Sequence, residues 1–593
     1  MKRRSCILSL TLSGHGLGGA VCRDGQIVVA TSLERITRKK NDILLPFTRS
    51  DLATLGWRSD PSVYQREIDL PFDFSPAADD IDLNKNEAFL SFIDYLMRGG
   101  GIDLKDVDCV VYTYRHMDAA KKFFAERTPR AEFLVPEHHF SHACQAFLPS
   151  PYHEAAIMVV DGQGVPLKRT AGDQLSGCLA YGKGDTIETL RDLPVRHSLG
   201  GMYAAFTKKV GFKTNEEGKT MGLAPYGSSA QYDVLRKSLA FDRREYNVRN
   251  ISALAKRGWR REELLYSLPH YQSFLDKFKT RLKGEPITDE QRDLSFAAQK
   301  ITEDVMVHLA DWLHETTGAK TLCIAGGVGL NCVANYQVLI RSKFDRVFVH
   351  PNSGDNGLTV GQALWAYTID GGNPRKYVAD SDYLGIEYTP EQYRKAVASA
   401  NDRDNLEVEE FDDLSQLYDR MAGYIEDGRI TSWCQGRSEF GPRALGNRSI
   451  LADPRRDDMK DILNSRVKFR ESFRPFTPSV LSARRSEFFE LDFDSPFMLL
   501  APYVKPGKGD LVPAITHVDN TARVQTVTAD VNERYFGLIK AFEKRTGIPM
   551  VLDTSFNVAD EPIVETPEDA IRCFLSTDID VLGVDRFLLR KKR

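Results

Sequence analysis

Residues 6–11, CILSLT, form a short apolar, β-prone run. SGHGLGGAV follows, and then CRDGQIVVATSLER. The Asp24-Gly25 pair between apolar runs predicts a hairpin turn, so the opening reads strand, Gly-rich turn, strand, hairpin, strand. The same grammar recurs near residue 155. AAIMVVDGQG is an apolar strand ending in an acidic Gly-rich turn, and SGCLAYGKGDTIETLRDL is a second hairpin turning at Gly182–Asp185. Helical periodicity predicts an amphipathic helix over about 290–317. A buried strand then runs into TLCIAGGVGLNCVAN, whose Gly-rich turn precedes a further helix. Residues 369–377, IDGGNPRKY, break the pattern and place a domain boundary between about 370 and 385. Helices and strands alternate again beyond it, which predicts a second α/β domain.

A repeated strand, Gly turn and hairpin is the way the sugar-kinase/actin-like fold grips phosphates between two lobes. The AGGVG turn of Gly326, Gly327 and Gly329, with Asn331 after it, could bring backbone amides to a phosphate or ribose. Residues 47–85, rich in Asp, Pro and Ser, read as an irregular insertion. Residues 242–264 carry seven Lys/Arg and read either as a solvated helical surface or as an anion patch.

The bulk numbers narrow the function classes. Lys+Arg (79) nearly balance Asp+Glu (83), which gives no global electrostatic case for a nucleic-acid or membrane partner. Nine cysteines are scattered without a CxxC pair, which argues against a disulfide framework and for a reducing, cytoplasmic compartment. MKRRSCILSLTLSGHG has a signal-like charge pattern, but its apolar run is only about seven residues and lacks a small-residue cleavage site, so it reads as a first strand. No window approaches the ~20 apolar residues of a membrane span.

Candidate chemistry falls in two groups. PEHHFSHACQAF places His138 and His142 at i, i+4, on one face of a helix bracketed by Pro136 and Pro149, a spacing that suits two ligands to one metal. Asp161 ends the strand IMVVDGQG and Asp355 sits in HPNSGDNG. Both are candidate completing ligands, and both could equally be turn-capping residues. Two imidazoles and two carboxylates suit Fe(II), Mn(II) or Zn(II). His139 points roughly 100° away on a helix and is placed outside that set, to orient a ligand or contact substrate.

The second group lies in WCQGRSEFGPRALGNRSILADPRR and NSRVKFRESFRPFTPSV. Arg443, Arg448, Lys468, Arg470 and Arg474 are interleaved there with Gly, Pro and Phe rather than Glu. Cations held by rigid turns suit bidentate anion recognition, phosphate above all. Arg523 lies in a strand-like run, HVDNTARVQTV, and VLDTSFNVADEPIV puts Ser555 and Asn557 after a buried strand.

These stretches, with RHSLGGMYAAFTKKVGFKTNEEGKTMGLAPYG and TSFNVADEPIVETPEDA, resemble the ATP-dependent O-carbamoyltransferases of nodulation-factor and antibiotic biosynthesis over nearly the whole chain. The resemblance implies an α/β protein with a duplicated actin-like (ASKHA, Kae1-like) domain over 1–375 and a YrdC-like domain over 376–593. It implies a metal, Fe(2+) or another divalent transition ion, on His138, His142, Asp161 and Asp355. Carbamoyl phosphate and ATP, with Mg(2+), are implied on Arg443, Lys468, Arg470, Arg474, Arg523, Ser555 and Asn557. Carbamoyl adenylate is implied at Gly326, Gly327, Gly329 and Asn331. His15 and Lys40 match a histidine and a lysine of the family, and with His139 make the catalytic candidates. A small-molecule hydroxyl acceptor and a homodimer are further implications. Departures are Gly14-His15-Gly16 where the family often has Gly-His-Asp, Asn41 in place of a histidine, and Asp519-Asn520-Thr521 for Asp-Gly-Thr. Asn tolerates positive φ, so that last turn is expected to survive. The competing readings are a tRNA threonylcarbamoyl-type enzyme, which the charge balance and fused layout disfavour, and a nucleotide-binding scaffold without catalysis.

Overall fold

The computed structural model describes residues 4–13, 16–42, 82–113, 117–164, 175–239, 268–404 and 406–592. The insertion of 47–85, apart from its last residues, and the basic segment of 242–264 lie outside them, as does His15. Among the described residues, no helix is long and apolar enough to cross a membrane, and the nine cysteines are free and buried.

The chain forms two compact units. The first comprises Met1–Ile27, Ile43–Leu90 and Ile102–Val378; the second comprises Val28–Asp42, Ser91–Gly101 and Ala379–Arg593. The first unit contributes strands to two five-stranded sheets. One uses β1 (Cys6–Ser13), β2 (Gly16–Arg23), β3 (Gln26–Ser32), β4 (Cys109–Tyr112) and β5 (Glu132–Leu134), in the order β3-β2-β1-β4-β5. The other uses β6 (Glu154–Val160), β7 (Leu175–Lys183), β8 (Thr186–Pro194), β9 (Thr321–Ala325) and β10 (Arg346–Val349), in the order β10-β9-β6-β7-β8. Each sheet therefore starts with a strand that pairs antiparallel with its successor on one side and parallel with a later strand on the other. The expected hairpins form: Asp24 (φ 48°) and Gly25 (φ 85°) turn β2 into β3, and Gly184 (φ 57°) lies in the turn between β7 and β8.

Parallel pairing decides where the chemistry lies. β6, β9 and β10 run side by side in register, Val159 opposite Ala325 and Ile324 opposite Val349. Their carboxyl ends thus deliver Asp161, the Gly326–Leu330 turn and the Asp355 loop to one edge, the usual ligand-binding edge of a parallel sheet. Gly326 has to be glycine: its φ is 91°, and a Cβ would lie 2.2 Å from the Val160 carbonyl oxygen. The helix Asp289–Thr317 matches its predicted limits, opened by a Thr288/Gln291 capping box and closed by Gly318 at φ 68°.

The helix His138–Phe147 is buried on nearly all sides. It packs against the helix Leu358–Thr368 through Gly361, where a Cβ would sit 2.5 Å from both Ser141 O and Gln145 N. The second unit holds an eight-stranded mixed sheet. Its strands are β11 (Leu406–Glu410), β12 (Thr431–Cys434), β13 (Arg448–Ala452), β14 (Thr477–Leu481), β15 (Gln525–Val527), β16 (Met550–Ser555), β17 (Val581–Val584) and β18 (Phe587–Lys591). Their order is β11-β18-β17-β12-β13-β16-β14-β15. The Asp519-Asn520-Thr521 turn holds with Asn520 at φ 61°, and Asp519 accepts from Thr521 N at 3.1 Å and Oγ1 at 2.7 Å.

The contact at Gly361 generates a stability test. Gly361→Val should lower stability by about 1–3 kcal/mol, because neither helix backbone can retreat from the added methyls. Gly218→Ala, in the helix Glu217–Leu223 with nothing within 4 Å of a Cβ, should instead raise it by about 0.4–1 kcal/mol. Calorimetric unfolding of both variants distinguishes the signs.

Candidate metal centre and anion site

Four side chains converge in the first unit. One ligand atom from each of His138, His142, Asp161 and Asp355 lies within 4.8 Å of the others, in largely buried surroundings. His138 Nε2 is 3.2 Å from Asp161 Oδ2 and 3.8 Å from Asp355 Oδ1. His142 Nε2 is 3.5 Å from Asp355 Oδ1 and 3.8 Å from Asp161 Oδ2. The helix supplies the two rings at i, i+4, and the parallel strand ends supply the two carboxylates. Asp161 is oriented by Gly327, whose N–H donates to Oδ1 at 3.0 Å, leaving Oδ2 facing the histidines.

The protonation of His142 follows from its neighbour. Gln145 Nε2 donates to the carbonyl oxygens of Asn352 and of Gly354 (3.2 Å for the second). Gln145 Oε1 must then face His142 Nδ1, at 2.6 Å, so Nδ1 carries the proton. In the neutral ring His142 Nε2 is then a buried lone pair without a hydrogen-bond partner, 3.5 Å from a carboxylate oxygen. A proton or a metal cation would reconcile two acceptors that close, and four such ligand atoms gathered together fit a divalent ion. Burial alone would raise Asp161 and Asp355. With no cation between the four side chains, the neighbouring histidines outweigh burial when they are protonated and hold both carboxylates below the ordinary range. Burial also pulls His138 down, but the two carboxylates more than reverse that.

His139 stands apart from the four. Its Nε2 is 3.9 Å from Asp161 Oδ2, is buried and has no hydrogen-bond partner. Burial, and then the His138 charge, push its pKa well below the ordinary value. Gly164 closes over the pair: a Cβ there would lie 2.3 Å from His139 Cε1 and 2.9 Å from His138 Cδ2.

The second unit gathers cations. Lys468 is 5% exposed. It donates to Ser555 O, Ser555 Oγ (3.3 Å), Asn557 O (3.1 Å) and Asn557 Oδ1 (2.8 Å). Arg470 donates from Nε to Asn464 Oδ1 at 3.0 Å and lies over the Phe476 ring at 4.4 Å. Arg523, just before β15 rather than inside a strand, donates to Thr477 Oγ1 at 3.1 Å. Burial, then Arg474 and Arg523, push Arg470 down to about 9. Burial and the charges of Arg470, Arg474 and Lys40 push Lys468 well below its ordinary value. Asn464 Nδ2 is buried without an acceptor. Glu471, 3.9 Å from Arg474, offsets only part of this positive charge, and the surplus suits an anion.

Both halves of the chain match known families. The model described as Carbamoyltransferase N-terminus matches residues 7–364, and Carbamoyltransferase C-terminus matches 422–591. The chain belongs to the carbamoyltransferase family. It is 35% identical to an uncharacterized protein of Synechocystis sp., over 99% of this chain and 96% of that one. It is 35% identical to Nodulation protein NolNO of Sinorhizobium fredii, over 98% and 79%. It is 31% identical to 3'-hydroxymethylcephem-O-carbamoyltransferase of Amycolatopsis lactamdurans, over 60% and 62%.

In this carbamoyltransferase, Lys40 belongs to the second unit, within electrostatic reach of Lys468. Arg38 anchors its segment by donating to Ile563 O (2.7 Å) and Pro562 O (2.9 Å). Arg448 is spent on structure: fully buried, it donates to the carbonyls of Gln435, Gly436, Asn447 and Glu565. Arg443 is half-buried in the loop between β12 and β13. Asn331 caps the helix Cys332–Arg341, accepting from Ala334 N at 3.0 Å, and also bonds Gln299. Sequence reading missed Gln145, although its i, i+3 spacing from His142 was there to be read.

Two predictions follow from this geometry. Gln145→Leu should weaken divalent-metal affinity by about 10- to 100-fold, measured by chelator competition, whereas His139→Ala should keep one ion per chain. An anion restores the protonated state of Lys468, so pyrophosphate affinity should fall as pH rises, starting well below the ordinary lysine range. Calorimetric titrations across alkaline pH would show this, and a flat profile would contradict it.

Proposed function

We propose that the second unit makes carbamoyl adenylate from carbamoyl phosphate and ATP, and that the first transfers its carbamoyl group to a hydroxyl of a small-molecule acceptor. The observation that carries this reading is the segregation of the two chemistries. The imidazole–carboxylate set belongs to the first unit and the cation cluster, Lys40 included, to the second.

In the second unit, hydrolysis of carbamoyl phosphate yields carbamate and phosphate. A carbamate oxygen then attacks the α-phosphorus of ATP and displaces pyrophosphate. Lys468, Arg470, Arg474, Arg523 and Arg443 hold the phosphates and offset the charge that develops on them, with Mg²⁺ accompanying ATP. Ser555 and Asn557 fix the Lys468 ammonium and bind the planar carbamate.

In the first unit, Gly326, Gly327, Gly329 and Asn331 border the adenylate. The acceptor oxygen attacks the carbamoyl carbon, AMP departs, and the hydroxyl proton passes to an imidazole. His139 and His15 are the candidates: burial keeps His139 neutral and able to accept, while also making it a weaker base than an ordinary imidazole. A divalent transition metal, Fe²⁺ or a similar ion, on His138, His142, Asp161 and Asp355 would supply Lewis-acid charge stabilisation. The likeness to a cephem O-carbamoyltransferase and to nodulation proteins favours a natural-product hydroxyl. The duplicated actin-like reading is supported by the matching strand orders of the two five-stranded sheets.

Opposite defects test the division. Lys468→Ala should abolish pyrophosphate release from ATP and carbamoyl phosphate, yet still transfer from supplied carbamoyl adenylate. His142→Ala should release pyrophosphate and fail to transfer. A substitution that blocks both reactions would show that one site does both.

A further inference from the structure

The Lys-x-Arg stretch has a middle residue with no part in the reading above. Phe469 lies between Lys468, which closes the π-helical turn Asn464–Lys468, and Arg470. Its backbone is left-handed, φ 45° and ψ 49°, a region that a bulky residue rarely enters and that Gly or Asn would occupy at less cost. Phe469 is 66% exposed, more than any other large apolar residue among the described residues. The neighbouring Phe476, by contrast, is buried and carries the Arg470 guanidinium on its face.

Strain and solvent exposure both oppose this arrangement. A π-turn followed by a strained residue is a combination that recurs at functional sites. The two flanking side chains are engaged with Ser555, Asn557 and Asn464, so the exposed side chain of Phe469 stands in the chain between two members of the cation cluster. A ligand with several phosphates on those cations and a flat apolar group would satisfy both features at once.

We infer that Phe469 is the stacking platform for the nucleobase of the nucleotide whose phosphates the Lys468 cluster holds. The inference rests on the second unit being the ATP site. Base–aromatic stacking is tolerant of base identity, so the ring supplies affinity for a purine face more than discrimination among purines. The left-handed backbone turns Phe469 away from the course of its neighbours, which lets three consecutive residues serve one ligand through phosphates and base.

Calorimetric titration of the full chain with ATP, pyrophosphate and carbamoyl phosphate separates the outcomes. Phe469→Ala should weaken ATP about tenfold or more and leave pyrophosphate and carbamoyl phosphate unchanged. Phe469→Trp should restore ATP affinity, and its emission should be quenched by ATP but not by pyrophosphate. Phe469→Asn, whose backbone conformation is easier, should fold at least as stably while binding ATP as weakly as Phe469→Ala. Wild-type ATP affinity in Phe469→Ala overturns the inference and leaves the ATP site standing. An equal loss of pyrophosphate binding overturns it too, since the ring would then only shape the turn. No ATP binding by the wild-type chain overturns both the inference and the site it rests on.

Discussion

The centre of the first unit is a conflict between like hydrogen-bonding groups. In its neutral form His142 Nε2, fully buried, offers a lone pair to a carboxylate oxygen 3.5 Å away. Gln145 makes the conflict unavoidable, because its own amide hydrogens are committed to two backbone carbonyls. A cation resolves it, and the surrounding structure is arranged to hold its ligands still. Parallel β6, β9 and β10 bring the loops together, Gly327 turns Asp161, and Gly361 lets two helices approach closely enough to seat Asp355 against His142.

The second unit poses the opposite problem with the same logic. Lys468 and Arg470 are packed among further cations, and burial adds to their mutual repulsion. Backbone and amide oxygens from Ser555 and Asn557 offset part of the cost. The balance is left for a ligand carrying several negative charges. The segment Val28–Asp42 takes part, since Arg38 fastens it to the carbonyls of 562 and 563 and Lys40 lies within electrostatic reach of Lys468. Asn41, at φ 55°, ends that segment with its N–H on Glu34, a bend for which Asn is well suited.

Much of this was legible along the chain. Apolar runs and Asp-Gly or Gly-rich turns located β1 to β3, β6 to β8 and β9, because alternation and turn chemistry are local properties. The 29-residue helix was readable from its periodicity. The pairing of His138 with His142 is also local, a consequence of helical pitch. Arg448 shows where such reading fails: in sequence it resembles its neighbours, yet it is fully buried and bonds four carbonyls. Nothing in its own position distinguishes a phosphate ligand from a strut.

The sequence by itself determined the elements, the residue types of both constellations and the family, since these depend on short-range pattern and on ordered motifs. Tertiary structure alone decided which atoms meet. It chose Asp161 and Asp355 as partners of the histidines over the turn-capping reading, through strand register. It also moved Lys40 into the second unit, used Asn331 as a helix cap, and left Phe469 exposed beside the cations. Each of those outcomes depends on contacts between residues far apart in the chain, and no local pattern carries that information.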